Sequence, residues 1–184
     1  MTKRPPEPLT RREALMLVYG ANTRRKTGVR NAAVIALMWR SQLRIGETLD
    51  LRPCDYEGDR IRILHGKGSK SRVVGVDKNT KDLIDTWMLI KPKSDYLFCT
   101  MKGTKIDSSY YRRLFKKLQN GLGIVKRCHP HGMRHTGAFE LAKENVPLIL
   151  ISQQLGHSNI STTDSYIRHL CPEEVVSVIK DREW

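Results

Sequence analysis

Residues 60–76 read RIRILHGKGSKSRVVGV. Two β-branched runs, RIRIL at 60–64 and RVVGV at 72–76, flank the stretch Gly66-Lys67-Gly68-Ser69-Lys70-Ser71. Both runs are of the β-branched kind that strands favour, and glycine and serine between them favour a reversal. The pattern predicts a β-hairpin with a basic, glycine-rich tip. The hydrophobic period changes here, and helical patterns flank the stretch on both sides. The expected fold is therefore mainly α with a small antiparallel β-hairpin, an α+β domain.

Working outward, residues 1–9 carry three prolines and read as an extended N-terminal arm. Thr10 followed by Glu13 is a capping box, opening a helix with Leu15, Met16 and Val18 that ends near Gly20. Asn22 to Gly28, with Arg24, Arg25 and Lys26, reads as a basic loop. Residues 31–40 (NAAVIALMWR) are apolar nearly all round, which predicts a helix buried in the centre of the domain. A short helix fits Gly46 to Leu51, stopped by Pro53. Beyond the hairpin, helical patterns cover about 79–90, 108–119, 132–144 and 148–155. Asp107 can cap the second of these and Gly121 can end it. A last short helix is expected after Pro172. No internal repeat or low-complexity linker interrupts 10–184, so that span reads as one domain.

The 184 residues carry 33 Lys+Arg against 19 Asp+Glu, a formal charge of +14. Such an excess points to a polyanionic partner, most simply nucleic acid. An acidic membrane surface is the alternative, but no basic amphipathic helix or lipidation motif supports it. No stretch approaches 18 uninterrupted apolar residues, so no transmembrane helix is expected, and MTKRPPEPLT lacks the apolar core of a secretory signal. Cys54, Cys99, Cys128 and Cys171 are widely spaced with no CxxC pair, which predicts reduced thiols rather than a disulfide framework or a zinc site.

Residues 128–135, Cys128-His129-Pro130-His131-Gly132-Met133-Arg134-His135, admit three readings. His131 and His135 stand at i, i+4, as in HExxH metal sites, but Gly132 occupies the place of the required Glu. His131 and Arg134 stand at i, i+3 near a helix start, a combination that suits a phosphate. The third reading is a capping histidine beside a surface arginine. Further along come Leu155-Gly156-His157 and, nine residues past that histidine, Tyr166. Earlier come Leu43-Arg44-Ile45-Gly46-Glu47 and the hairpin lysine Lys67.

Taken in order, Arg44 with Glu47, Lys67, His131 with Arg134, Leu155-Gly156-His157 and Tyr166 closely resemble the motif set of the tyrosine recombinase (phage integrase, Xer-like) catalytic domain. The similarity runs from about Thr10 to about Val178. The resemblance implies a DNA strand transferase that cleaves and rejoins strands through a covalent 3′-phosphotyrosine, without metal or ATP. Arg44 and Arg134 would fork onto the phosphate oxygens, and His157 would add a third donor. Tyr166 would be the nucleophile, His131 the acceptor of its proton, and Lys67 the acid for the leaving 5′-oxygen. Glu47 would orient the Arg44 guanidinium and its neighbours. The implied partner is double-stranded DNA, held by a homotetramer on two duplexes that is monomeric when free. The implied location is cytoplasmic, on the nucleoid.

Rival readings stand beside these. Lys70 and Arg72 compete with Lys67 within the hairpin; the resemblance selects the lysine of Gly66-Lys67-Gly68. Tyr110 and Tyr111 are alternative nucleophiles on paper, but beside Leu114 and Phe115 they read as packing residues. Arg24, Arg25, Lys26, Lys70, Arg72, Arg112, Arg113, Lys116 and Lys117 are candidate DNA-phosphate contacts, or else solvated charges. A type IB topoisomerase-like enzyme and a non-catalytic DNA-binding accessory protein are the alternative functions. Two departures from the family pattern are visible. The helical core-binding domain that usually precedes this region is missing from the sequence, so the chain reads as an excised catalytic fragment or a minimal member. Gln42 stands where relatives commonly have glycine.

Overall fold

The computed structural model describes residues 7–64 and 71–156. Among these, seven α-helices run α1 (Arg11–Tyr19), α2 (Lys26–Arg40), α3 (Ile45–Asp50), α4 (Lys78–Ile90), α5 (Ser108–Leu122), α6 (Pro130–Lys143) and α7 (Leu148–Leu155). Two antiparallel strands, β1 (Arg60–Ile63) and β2 (Arg72–Gly75), lie between α3 and α4. The chain is mainly α with a two-stranded antiparallel sheet. The hairpin tip with Lys67 and Lys70, most of the N-terminal arm, His157, Tyr166 and the helix expected after Pro172 lie outside the described residues.

The apolar run at 31–40 forms the centre of the domain. Every residue of α2 from Gly28 to Trp39 is buried, and α1, α4 and α6 pack around it. Around this axis Trp87, Tyr111, Phe98 and Phe115 are fully buried. Each such side chain is worth roughly 1.5–3 kcal/mol of transfer free energy. Two polar residues go down with the helix and are satisfied there. Arg30 donates to the Cys99 carbonyl at 2.9 Å, and its guanidinium also holds the Asn31 Oδ1. Asn31 donates to the Tyr110 hydroxyl, and the Tyr111 hydroxyl donates back to Asn31. Both tyrosines are thus committed to the core.

Local signals account for most helix ends. Thr10 and Glu13 form the capping box of α1, which closes at Gly20. Asp77 and Asp107 accept N–H bonds from the first turns of α4 and α5. Two boundaries differ from expectation. The basic loop is shorter than Asn22–Gly28, because α2 already starts at Lys26; its N-cap, Arg25, offers no side-chain hydrogen bond, so no sequence signal marks the start. Gly28 lies inside the helix, and only glycine fits there, because an added Cβ would meet the Asn22 carbonyl at 2.0 Å. Helix α5 runs past Gly121 to Leu122 and closes on Gly123, whose φ is +65°.

The strands pair Ile61 with Val74 and Ile63 with Arg72. Ile61, Ile63 and Val74 turn inward, while Arg60, Arg62 and Val73 face water. Residues 7–9 lie against the domain: Leu9 is buried and its N–H donates to Thr136 Oγ1 at 3.0 Å. Cys54, Cys99 and Cys128 form no disulfide. No described helix is long and apolar enough to cross a membrane.

Candidate active site

The site begins where α2 stops. Gln42 adopts φ +51°, a left-handed turn that reverses the chain immediately after the helix. Its amide Nε2 donates to the Trp39 and Arg40 carbonyls at 2.9 and 2.8 Å, satisfying acceptors that the helix end leaves open. A glycine would take this backbone without strain; here the buried side chain contributes the cap. Leu43 then anchors the chain in the core, and Arg44 stands at the threshold of α3.

Glu47, one turn into α3, collects the positive charges. Its carboxylate accepts the Arg44 backbone N–H at 2.9 Å and Arg44 Nη1 at 2.8 Å. Arg72, at the start of β2, adds a two-pronged bond at 3.0 and 2.9 Å. Arg134 Nη1 lies 3.8 Å from the same carboxylate. Burial pushes the Glu47 carboxyl up, but the Arg72 and Arg44 hydrogen bonds and the Arg72 charge outweigh it and hold the pKa down at about 2. Glu47 is therefore an anion at every working pH, and an orienting one.

Helix α6 brings the second half. His129, its N-cap, accepts the Gly132 N–H through Nδ1 at 3.1 Å, so the capping histidine of this segment is His129. Arg134, expected at the surface under that reading, is buried. Its Nη1 donates to the Gln42 carbonyl and its Nη2 to the Leu155 carbonyl, each at 2.6 Å. Burial, then the Arg44 charge, draw its pKa down to about 9, so it stays cationic at neutral pH. His131, one turn before Arg134, packs edge-on against the His135 ring at 4.0 Å. Burial first, then the Arg134, His129 and Arg44 charges, lower the His131 pKa. A neutral imidazole beside two guanidiniums can accept a proton. Among the described residues no group of three or more His, Cys, Asp or Glu is placed to hold a metal ion.

The structure thus brings together Arg44, Glu47, His131 and Arg134, residues up to ninety positions apart. Arg24, Arg25, Lys26, Arg112, Arg113, Lys116 and Lys117 are exposed, the last four on the face of α5 opposite Tyr111, Phe115 and Leu118. Arg72 departs from its expected place among the DNA contacts: its side chain is 12% exposed and committed to Glu47. Strand periodicity carried that signal, since Arg72 stands two residues before the inward-facing Val74. The backbone carbonyls of Gln42, Gln154 and Leu155 are the other parts that sequence reasoning missed, and no side-chain pattern announces a carbonyl. Lys67, Lys70, His157 and Tyr166 lie outside the described residues.

Known proteins share this fold. The tyrosine recombinase XerC of Agrobacterium fabrum is 33% identical over 169 residues, covering 88% of this chain and 54% of the relative. The chain spans about half the length of the curated relatives it matches. The crystal structure of XerA recombinase superimposes with a TM-score of 0.81 at 24% identity, over 97% of this chain and 66% of that one. The XerH site-specific recombinase in its post-cleavage complex with a palindromic difH substrate gives 0.77 at 26% identity, over 96% and 53%. The model of the phage integrase family matches residues 7–172, which takes in every described element from the Thr10 cap to the end of α7. With that match spanning most of the sequence and a relative 33% identical over 88% of it, the chain belongs to the phage integrase family.

Proposed function

We propose that this chain is the catalytic domain of a site-specific DNA recombinase, which cleaves and rejoins strands of double-stranded DNA through a 3′-phosphotyrosine. One observation carries the reading: Arg44 and Arg134, from opposite halves of the sequence, converge on Glu47 with His131 one turn away. A phosphodiester between the two guanidiniums meets charge on its nonbridging oxygens. Arg44 keeps a third of its side chain open to solvent and to such a ligand. Arg134 has five N–H donors, and the Gln42 and Leu155 carbonyls take only two of them.

Tyr166 attacks phosphorus and passes its proton to His131, whose lowered pKa keeps it neutral and receptive. The bond to the 5′-oxygen breaks as Lys67 supplies the proton that oxygen needs. His157 completes the donor set from the segment that begins at Leu155, whose carbonyl Arg134 already holds. Rejoining runs the same steps backward, so the phosphotyrosine conserves the bond energy and neither metal nor ATP is called for. The exposed arginines and lysines of α5 and the α1–α2 loop hold DNA phosphates. The working assembly is a homotetramer on two duplexes built from protomers that are monomeric when free, in the cytoplasm on the nucleoid.

The test uses nicked duplexes of randomised sequence, in excess EDTA and without ATP. The wild-type chain forms a covalent protein–DNA adduct; Tyr166→Phe binds equally well and forms none. An adduct that survives in Tyr166→Phe, or that requires Mg²⁺, refutes the reading.

A further inference from the structure

We infer that Arg72 is a positioning residue of the phosphate site, locking the Glu47 carboxylate so that Arg44 is aimed, and fastening α3, β2 and the end of α7 together. The inference rests on the strand-transfer reading and gives a role to a residue that reading does not use.

Each Glu47 oxygen takes one bond from Arg44 and one from Arg72. Oε1 accepts Arg44 Nη1 and Arg72 Nη1; Oε2 accepts the Arg44 N–H and Arg72 Nη2. The Arg72 fork fixes the plane of the carboxylate, which a single ammonium cannot do. With that plane fixed, the Arg44 guanidinium has one favourable seat. The third Arg72 donor, Nε, reaches the Gln154 carbonyl at 3.3 Å, in the last turn of α7. Gly156, with φ +63°, leaves room for this: a Cβ there would stand 2.9 Å from Arg72 Cζ and Nη1. Arg72 therefore touches the strand that leaves the Lys67 tip, the carboxylate under Arg44 and the turn that leads to His157. A DNA phosphate finds this fork already occupied.

The experiment measures single-turnover cleavage by the full chain on a nicked duplex of the sequence recovered from the randomised pool. The scissile group is either a phosphodiester or a methylphosphonate, which lacks the charge that Arg44 neutralises. Arg72→Ala and Arg72→Lys should each cleave the phosphodiester about 10²-fold more slowly. Their DNA affinity and its salt dependence should match wild type. On the methylphosphonate the deficit should shrink to within about 5-fold, since the misaimed charge is no longer required. Adding Arg44→Ala to Arg72→Ala should cause little further loss. The pair Arg72→Met with Glu47→Gln removes both buried charges and guards against misfolding; it should show the same methylphosphonate rescue.

Equal deficits on both substrates would reduce Arg72 to structural support and overturn the inference. So would a loss confined to affinity with a shallower salt slope, which is the behaviour of a DNA contact. An active wild type with equally active Arg72 variants removes the inference alone. A wild type that forms no adduct removes the strand-transfer reading, and this inference with it.

Discussion

Gly137→Ala tests whether the close approach of α6 to α2 builds the site. An alanine Cβ at 137 would stand 1.8 Å from the Trp39 carbonyl oxygen and 2.8 Å from Gln42 Nε2, where ordinary contact begins at 3.4 Å. The helices must part by about 1.6 Å, and the obstacle is backbone, which has no rotamer to change. Overpacking of this kind costs about 3 kcal/mol, and the helix propensity of alanine returns about 1. A net loss near 2 kcal/mol lowers Tm by about 4–8 °C in a domain of this size. The catalytic effect should be larger. Arg134 is one turn away on the same helix, and its 2.6 Å bond to the Gln42 carbonyl spans the interface being forced apart. A misplacement on that scale slows chemistry by about 10²-fold. Gly121→Ala is the control, because nothing lies within 4 Å of its added Cβ in α5. It should leave cleavage unchanged and stabilise by about 0.5–1 kcal/mol. Urea unfolding and single-turnover cleavage, run on both variants, decide the matter. A Gly137→Ala protein as stable and as fast as wild type would refute the argument.

Two further outcomes follow from the titrating groups. The folded pKa of Glu47, about 2, lies below its ordinary 4.5, so its contribution is complete above pH 4.5 and disappears as pH falls towards 2. The displacement is worth about 3 kcal/mol, of which about 2 is gone by pH 3. Urea unfolding of wild type and Glu47→Gln from pH 7 to pH 3 should therefore show a gap that closes with acid; a gap independent of pH contradicts it. The lowered pKa of His131 places the acid limb of the cleavage rate below pH 6.5, and His131→Ala should be slow and lack that limb. A limb above pH 6.5 in wild type, or one that persists in His131→Ala, removes the histidine as the base.

What the sequence made readable was whatever is local. The apolar run at 31–40, the β-branched runs within 60–76, the Thr10 capping box and the Asp107 cap each depend on neighbours within a few residues. The start of α2 was hidden because no side chain caps it, and the end of α5 because Gly121 and Gly123 differ only in the sign of φ that packing imposes. Leu97, Phe98 and Cys99 are buried without belonging to a helix or strand, held by partners such as the Leu51 carbonyl, so no period marks them. Arg44, Glu47, His131 and Arg134 could be chosen from their order along the chain. That Arg134 is held by two backbone carbonyls, and that Arg72 turns inward onto Glu47, are products of tertiary contact.

The cluster around Glu47 also has an electrical consequence. Three guanidiniums share one carboxylate, which leaves a surplus of two positive charges in a largely dehydrated place. A phosphodiester brings one negative charge, and the five-coordinate phosphorus formed by an attacking tyrosinate brings two. The proposed substrate thus leaves the three guanidiniums and Glu47 with one positive charge over, which the second negative charge on phosphorus takes up as the barrier is crossed, while the proton given up by the tyrosine sits on His131. Attraction withheld from the resting ester and granted to the activated one is what accelerates a reaction. Without its carboxylate the centre would hold a surplus of three, drawing the resting DNA in more strongly and narrowing that difference. Glu47 makes no bond to the reacting atoms in this scheme, yet it sets how selectively the arginines spend their charge.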